Sequence, residues 1–274
     1  MTGDEGLSAI APLSRRDGEM TFIGDPNVCD YADFLVSQDA EDQFYPMLLD
    51  YLDEEEWQEL NLFSLPQESP TLAKLPDLAR ERGHQVQIEE EDVAPGVVLP
   101  DTWDEYLGTV SKKDRHELRR KMRRLESYDE GFGWYGLTDS QEVGASLEDF
   151  FLLMRQSRED KSTFLTGPRE SFFRSMVMKL SHAGVLKLFF LEMGGKKVAA
   201  ALCFDYDSKR FLYNSGLDPD YKYYSVGLLL HALCIGDAIE GGRSYFDFLR
   251  GSEPYKYDLG GKNRVIYRMV VTRS

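Results

Sequence analysis

Val185-Leu-Lys-Leu-Phe-Phe-Leu-Glu-Met-Gly-Gly-Lys-Lys-Val-Ala-Ala-Ala-Leu-Cys-Phe-Asp-Tyr-Asp-Ser-Lys-Arg-Phe-Leu-Tyr-Asn-Ser215 is the stretch whose reading decides the fold. It holds three aliphatic and aromatic runs, Val185 to Met193, Lys197 to Tyr206 and Arg210 to Ser215, joined by Gly194-Gly195 and by Asp207-Ser208. Apolar runs of this length between turn residues read as strands, and turns this tight make neighbours antiparallel. Moving toward the C-terminus, Ser225 to Glu240 is rich in Leu and Ala and stops at Gly241-Gly242, which predicts a helix. Tyr245 to Phe248 and Arg264 to Val271 then predict two more strands, with a Pro- and Gly-rich segment between them. Toward the N-terminus, helical patterns recur at Leu147 to Arg158 and Arg169 to Ser181. Ser111 followed by Asp114 makes a cap for a helix over 111–126, with Leu118, Met122 and Leu125 at helical spacing.

The first part of the chain has a different rhythm. Strand-like runs at Thr21 to Ile23, Glu59 to Phe63 and Gln85 to Ile88 alternate with helical patterns near Asp33 to Tyr51 and Thr71 to Arg82. Pro95-Gly96 and Pro100 interrupt that alternation, since neither element continues through them, and set an expected boundary between residues 1–97 and 98–274. The fold class expected is α/β in two units, each with a mixed, mostly antiparallel sheet flanked by helices.

Charge divides the chain in the same way. Residues 1–110 hold 26 acidic and 5 basic side chains, net −21, against 22 acidic and 27 basic in the remainder, for a total of −16. Such an acidic chain disfavours nucleic acid as a partner, while its more basic second half suits a small anionic ligand. Hydrophobic residues at 42% exclude a disordered chain. Runs such as Val198 to Phe204 fall well short of the roughly 18 apolar residues that cross a bilayer. Residues 1–20 carry no apolar stretch behind a basic start, and Cys29, Cys203 and Cys234 are far apart in apolar surroundings. They read as buried thiols of a cytoplasmic protein rather than a disulfide or zinc framework. The four histidines, His84, His116, His182 and His231, form no metal pattern and read as core or surface residues.

The passage Phe211-Leu-Tyr-Asn-Ser-Gly-Leu-Asp-Pro-Asp-Tyr-Lys222-Tyr-Tyr-Ser225-Val-Gly227 runs from strand to helix. Small residues at Ser225 and Gly227 let backbone approach a ligand, the free N–H groups of the helix start favour a pyrophosphate, and Lys222 adds a charge. With the strand arrangement around it, the passage resembles the GNAT superfamily of N-acyltransferases, whose Gln/Arg-x-x-Gly-x-Gly/Ala segment wraps the pyrophosphate of acyl-coenzyme A. Lys222-Tyr-Tyr-Ser225-Val-Gly227 is similar, with Lys for Gln/Arg and Ser for the first Gly. The resemblance thus implies acetyl-CoA or another acyl-CoA held by Lys222, Ser225, Val226, Gly227 and Leu228, with no metal.

Within that superfamily the chain is most similar to Fem-like and CelD-type acyltransferases with tandem GNAT units. Ser111-Lys-Lys-Asp-Arg115-His-Glu-Leu-Arg119-Arg120, Tyr213-Asn214-Ser215-Gly216-Leu-Asp218-Pro219 and Phe246-Asp247-Phe-Leu-Arg250-Gly-Ser-Glu253-Pro-Tyr255-Lys256-Tyr-Asp-Leu-Gly260 carry the likeness over about 100–274. Cys29-Asp-Tyr31-Ala-Asp33 resembles a segment of the family's first unit, which starts late here and implies a shortened N-terminal unit.

The same residues suggest roles. Tyr255 or Tyr257 is placed to protonate a departing thiolate, and Lys256 to stabilise charge on a tetrahedral intermediate. Asp247, Glu192 and Asp205 are candidates for the base. Arg115 and Arg119, four apart on one helix face, together with Asn214 and Arg250, are candidate contacts for an acceptor that can be anionic. The function implied is transfer of an acyl group, acetyl foremost, from acyl-coenzyme A to an amine or hydroxyl of a small molecule. A Fem-type reaction, with aminoacyl-tRNA donating to a cell-wall precursor, and a catalytically silent binding module of the same fold are the alternatives.

Overall fold

The computed structural model describes residues 2, 3 and 6–274, and the chain divides into two compact units, residues 1–94 with 263–274 and residues 95–262. In the first unit β1 (Leu13–Arg16), β2 (Glu19–Phe22), β3 (Glu59–Pro66) and β4 (Gln85–Val93) accompany α1 (Glu41–Glu54) and α2 (Pro70–Glu81). Leu60, Leu62 and Leu65 of β3 are fully buried with Leu49, Leu52, Leu75 and Ala79 of the two helices.

The second unit contains β5 (Gly96–Val98), α3 (Trp103–Thr109), α4 (Lys112–Glu126), β6 (Phe132–Leu137), α5 (Ser140–Ser157), α6 (Glu159–Phe164) and α7 (Gly167–His182). It continues with β7 (Leu186–Met193), β8 (Lys196–Tyr206), β9 (Lys209–Leu217), α8 (Val226–Glu240), β10 (Tyr245–Asp247) and α9 (Pro254–Asp258). The strand order is β6-β7-β8-β9-β10-β5. All neighbours are antiparallel except β9 and β10, which are parallel. The meander expected over 185–215 is therefore present. Its strands read as unbroken apolar runs because helices cover both faces. Phe189, Leu191, Ala199 and Ala201 pack with Leu229, Cys234 and Ala238 of α8, while Leu188 and Phe190 fall on the other face by the strand's period of two.

The final strand, β11 (Val265–Thr272), corrects the expected boundary. It pairs antiparallel with both β3 and β4, giving the first unit a sheet of order β1-β2-β3-β11-β4. Ile266, Met269 and Val271 are fully buried there. A central strand has both edges satisfied by hydrogen bonds, so residues 263–274 belong to the first unit and not to 98–274. Strand β6 escapes sequence reading because Gly133 and Gly136 break its pattern. A Cβ at Gly136 would stand 2.7 Å from Lys187 Cε and 2.9 Å from the Phe189 ring, so glycine is what lets this edge close. Cys203 and Cys234 are buried as expected, but Cys29 is only half-buried. Among the described residues no helix is long and apolar enough to cross a membrane.

Two features fix the helices on the second sheet. Arg210 of β9, 1% exposed, grips Asp205 through two hydrogen bonds of 2.6 and 2.7 Å, donates to the Cys234 carbonyl at 3.0 Å and reaches Asp237 of α8. On the other face α5 lies directly on β9 at Gly216. There a Cβ would meet the Met154 nitrogen at 2.3 Å and the Leu153 carbonyl carbon at 2.4 Å, and neither backbone can yield cheaply. Gly216→Ala is accordingly expected to destabilise the protein by about 2–3 kcal/mol or more, read as a lowered Tm, although the added methyl is the smallest possible change.

Candidate active site

Strands β9 and β10 run side by side for three residues only, with Lys209, Arg210 and Phe211 opposite Tyr245, Phe246 and Asp247. Beyond that point β9 continues to Leu217, while the other chain turns away through Leu249 at φ +58° and Gly251 at φ +108°. The Leu249 N–H donates to Asp247 Oδ1 at 2.8 Å, so this fully buried carboxylate helps make the turn. Parting strands leave a gap. A cavity of about 490 Å³ occupies it, bounded by Ser215, Gly216 and Leu217 of β9, by Gly227, Leu228 and His231 of α8, and by Glu253, Tyr255 and Asp258 around α9. Arg158 and Lys161 close it from the α5–α6 side.

A 3₁₀ turn, Pro219–Tyr224, leads into α8, with Asp218 accepting from the Asp220 N–H at 3.0 Å. Ser225 then takes the left-handed conformation, φ +57° and ψ 36°, and its hydroxyl makes no cap to the helix. The first N–H groups of a helix have no acceptor within it, so this start keeps its donors and its positive dipole end available. Gly227 widens the approach, because a Cβ there would stand 2.7 Å from Leu217 Cδ2. Val226 itself is core, at 1% exposure, and neither it nor Ser225 is among the residues that line the cavity. Lys222 is exposed and lies outside the cavity lining.

Lys256 is 2% exposed, and its ammonium donates to the carbonyls of Leu249, Arg250 and Gly251 at 2.9, 2.8 and 3.0 Å. Glu253 Oε2 stands 2.9 Å away as counter-charge. Burial raises the Glu253 carboxyl, but Lys256 outweighs it and holds the group below its ordinary range. Three protons on three carbonyls exhaust the donors of a lysine. Lys256 therefore staples the turn after β10 and does not line the cavity, in contrast to the oxyanion role expected for it. Tyr255 does line it. Burial pushes its phenol well above the ordinary value, so it stays protonated across the neutral range.

Other expected contacts are elsewhere. Arg115 donates to the Leu107 carbonyl at 3.0 Å, tying α4 to α3, and Arg119 is exposed. A second cavity of about 450 Å³ meets instead the face of α4 that carries Lys113, Glu117, Arg120 and Lys121, and it shares Leu228 and Asp258 with the first. Asn214 accepts from Lys161 Nζ at 3.2 Å and from the Ser215 N–H at 2.8 Å, holding α6 over β9 rather than lining the cavity. Arg250 and Tyr257 lie outside the lining, as does Asp247. Glu192 accepts from Tyr135 at 2.8 Å and Asp205 pairs with Arg210, so neither reaches the gap.

Arg158, Lys161, Asp258 and His231 are among the lining residues to which the sequence reading gives no role. Of these His231 alone carries a signal in the sequence, as a polar residue at i+4 from Gly227 within the otherwise apolar run Leu228 to Ile235, where both share a face. It is 5% exposed, its ring packs tilted against Tyr255 at 4.8 Å between centroids, and neither ring nitrogen has a hydrogen-bond partner among the described residues.

Residues 112–257, just over half of the chain, match the acetyltransferase (GNAT) domain family. No curated protein matches the chain. Among solved structures it is similar to L-PGS from Bacillus licheniformis at 13% identity and a TM-score of 0.62, covering 99% of this chain and 82% of that one. The C-terminal domain of a candidate lysylphosphatidylglycerol synthetase from Agrobacterium fabrum is 11% identical with a TM-score of 0.63, over 98% and 82%. FemX is 14% identical with a TM-score of 0.62, over 94% and 86%. At these identities the likeness is one of fold.

The stapling geometry predicts the outcome of Lys256→Met. Removal of the ammonium strands three buried or half-buried carbonyls and Glu253, so stability should fall by about 3–5 kcal/mol in thermal or urea unfolding. A lysine acting only on the reacting group would leave unfolding unchanged.

Proposed function

The chain belongs to the acetyltransferase (GNAT) domain family, and from that premise we propose that its second unit moves an acyl group from acyl-coenzyme A to an amine or hydroxyl of a small acceptor. The observation that carries the reading is the parting of β9 and β10 beside a helix start with no side-chain cap. An extended thioester arm fits along the open edge of β9, and a pyrophosphate fits against the first turn of α8. Ser225 replaces a family glycine yet takes the left-handed conformation that the position requires, which supports the assignment of Ser225, Val226, Gly227 and Leu228 to phosphate binding through their backbone. Acetyl is the simplest acyl group for a cavity of about 490 Å³.

Tyr255 supplies the proton for the departing thiolate, since burial keeps its phenol protonated at the cavity wall. Asp258 lines both cavities and is the carboxylate placed to receive a proton from the incoming acceptor. The acceptor enters along the α4 face, where Lys113 and Lys121 suit an anionic group. A Fem-type reaction is the second reading, favoured by a fold likeness to FemX that spans 94% of this chain. The net charge of −21 in residues 1–110 weighs against a tRNA partner.

Calorimetric titration with acetyl-coenzyme A and with an aminoacyl-tRNA separates the readings. Saturable binding of acetyl-coenzyme A is expected, and Gly227→Asp should weaken it about tenfold, or roughly 1.4 kcal/mol, with the far-UV circular dichroism unchanged. Binding of aminoacyl-tRNA alone would move the chain to the Fem-type reaction, and binding of neither would make it a silent module.

Tyr255→Phe keeps the ring and removes the phenol. It should lower kcat about 10²-fold without changing donor affinity. In the wild type, activity should not decline as pH rises through the ordinary tyrosine value near 10, because the raised phenol is still protonated there.

A further inference from the structure

His231 is the polar group that the acyl-transfer scheme leaves without work. An imidazole buried to this extent with neither nitrogen hydrogen-bonded costs stability, and apolar residues fill the positions around it on α8. A wholly structural position of that kind would favour Leu or Phe. The ring instead borders the cavity, one helical turn below Gly227, where the donor arm passes from the phosphate-binding turn toward the gap between β9 and β10. It packs against the Tyr255 ring, tilted by 41° at 4.8 Å between centroids, which limits its rotation.

We infer that His231 donates a ring N–H to the oxygen of the donor's acyl carbonyl as that oxygen becomes negative, and so serves as the oxyanion donor of this site. The inference rests on the acyl-transfer reading above. The acceptor's lone pair forms the new bond to the carbonyl carbon, and the carbonyl π pair moves onto oxygen, toward the His231 N–H. When that pair returns, the carbon–sulfur bond breaks and the thiolate takes the Tyr255 proton. The proton shed by the acceptor passes by way of Asp258 to restore the phenol, so the sum is thioester plus amine giving amide plus thiol. His231 transfers no proton and is unchanged at the end.

The surroundings suit a neutral donor. Lys161 lines the cavity from α6, Tyr255, Glu253 and Asp258 line it from around α9 with Arg158 beside them, and Lys256, outside the lining, acts on the ring through its charge. Burial first, then the charges of Lys161 and Lys256, pull the imidazole pKa down to about 3. It is therefore uncharged across the neutral range, and carries one N–H to give.

The test uses the whole chain with acetyl-coenzyme A as probe, a panel of small amines as acceptors, and thiol release as readout. His231→Phe keeps the ring volume and removes the donor, whereas His231→Gln returns an N–H at similar reach. For His231→Phe, kcat should fall about 10²-fold while acetyl-coenzyme A affinity by calorimetry stays within about twofold. Its Tm should be equal to or above that of the wild type, since an unpaired buried polar group has been removed. His231→Gln should recover at least about tenfold of the lost rate. Wild-type turnover with an equally fast His231→Phe overturns the oxyanion role alone. So does a His231→Phe variant that loses Tm, affinity and rate together with no rescue by Gln. A wild type that neither binds nor turns over acetyl-coenzyme A overturns the coenzyme reading, and the inference falls with it.

Discussion

A guanidinium with 1% of its surface exposed constrains everything around it, and in this protein that group is Arg210. Desolvating such a charge is tolerated only when its partners are complete and well placed, and Asp205, Asp237 and the Cys234 carbonyl provide that set. Lys187 adds a second cation on Asp237, at 2.8 Å from each oxygen. The cluster binds β7, β8 and β9 to the later part of α8. It also lies in the short register where β9 and β10 are still paired. One end of the second unit is thus held shut by charge. The other end, where the strands separate, is left as the working cavity. Because a helix is stiff over its 15 residues, fixing Asp237 also fixes the direction in which Gly227 and His231 project at the far end.

The two units treat the corresponding strand-to-helix passage in opposite ways. In the first, α2 begins with Pro70, which has no N–H, and Ser69 accepts from the Thr71 N–H at 3.1 Å. Its first turn is already satisfied by the chain itself. In the second, α8 begins behind a left-handed Ser225 whose side chain makes no cap. An uncapped helix start suits an anion better than a capped one, so of the two starts the second is the one that agrees with the proposed phosphate site. The first unit also holds a strained backbone position, Ser64 within β3, which is buried at φ +55° with its N–H on Glu91 at 2.7 Å. There the strain is stabilised by a carboxylate of the same unit.

How much of this could be read from the sequence depended on whether the physics was local. Strand alternation, the Gly-Gly and Asp-Ser turns and the Ser111 cap are decided within a few residues, and they stand in the structure as read: Ser111 Oγ accepts from the Asp114 N–H at 3.2 Å. Partner choice is not local. Val265 to Thr272 reads as a strand, but nothing in its own residues says which sheet it joins, and it joins the other one. Charge was misread for a related reason. Arg115 and Lys256 looked available because their partners are backbone carbonyls, which no sequence pattern displays. His231 reads as a core residue, because a histidine among leucines is usually a satisfied one. That the ring nitrogens have no partner is a fact of three dimensions alone.

The placement of charge around the cavity then makes chemical sense. Lys161 and Lys256 are engaged by backbone carbonyls and by Asn214 or Glu253, so neither offers its ammonium as the first contact of a reacting group. Their field nonetheless acts across the cavity. It opposes a proton on His231 and favours negative charge wherever one develops within reach. In the proposed reaction, neutral donors at the cavity wall, Tyr255 and His231, with fixed cations behind them, interact weakly with an uncharged thioester and strongly with the oxyanion it becomes. Differential stabilisation of that kind is what lowers a barrier, and here it follows from lysines tied back by the turns they hold together.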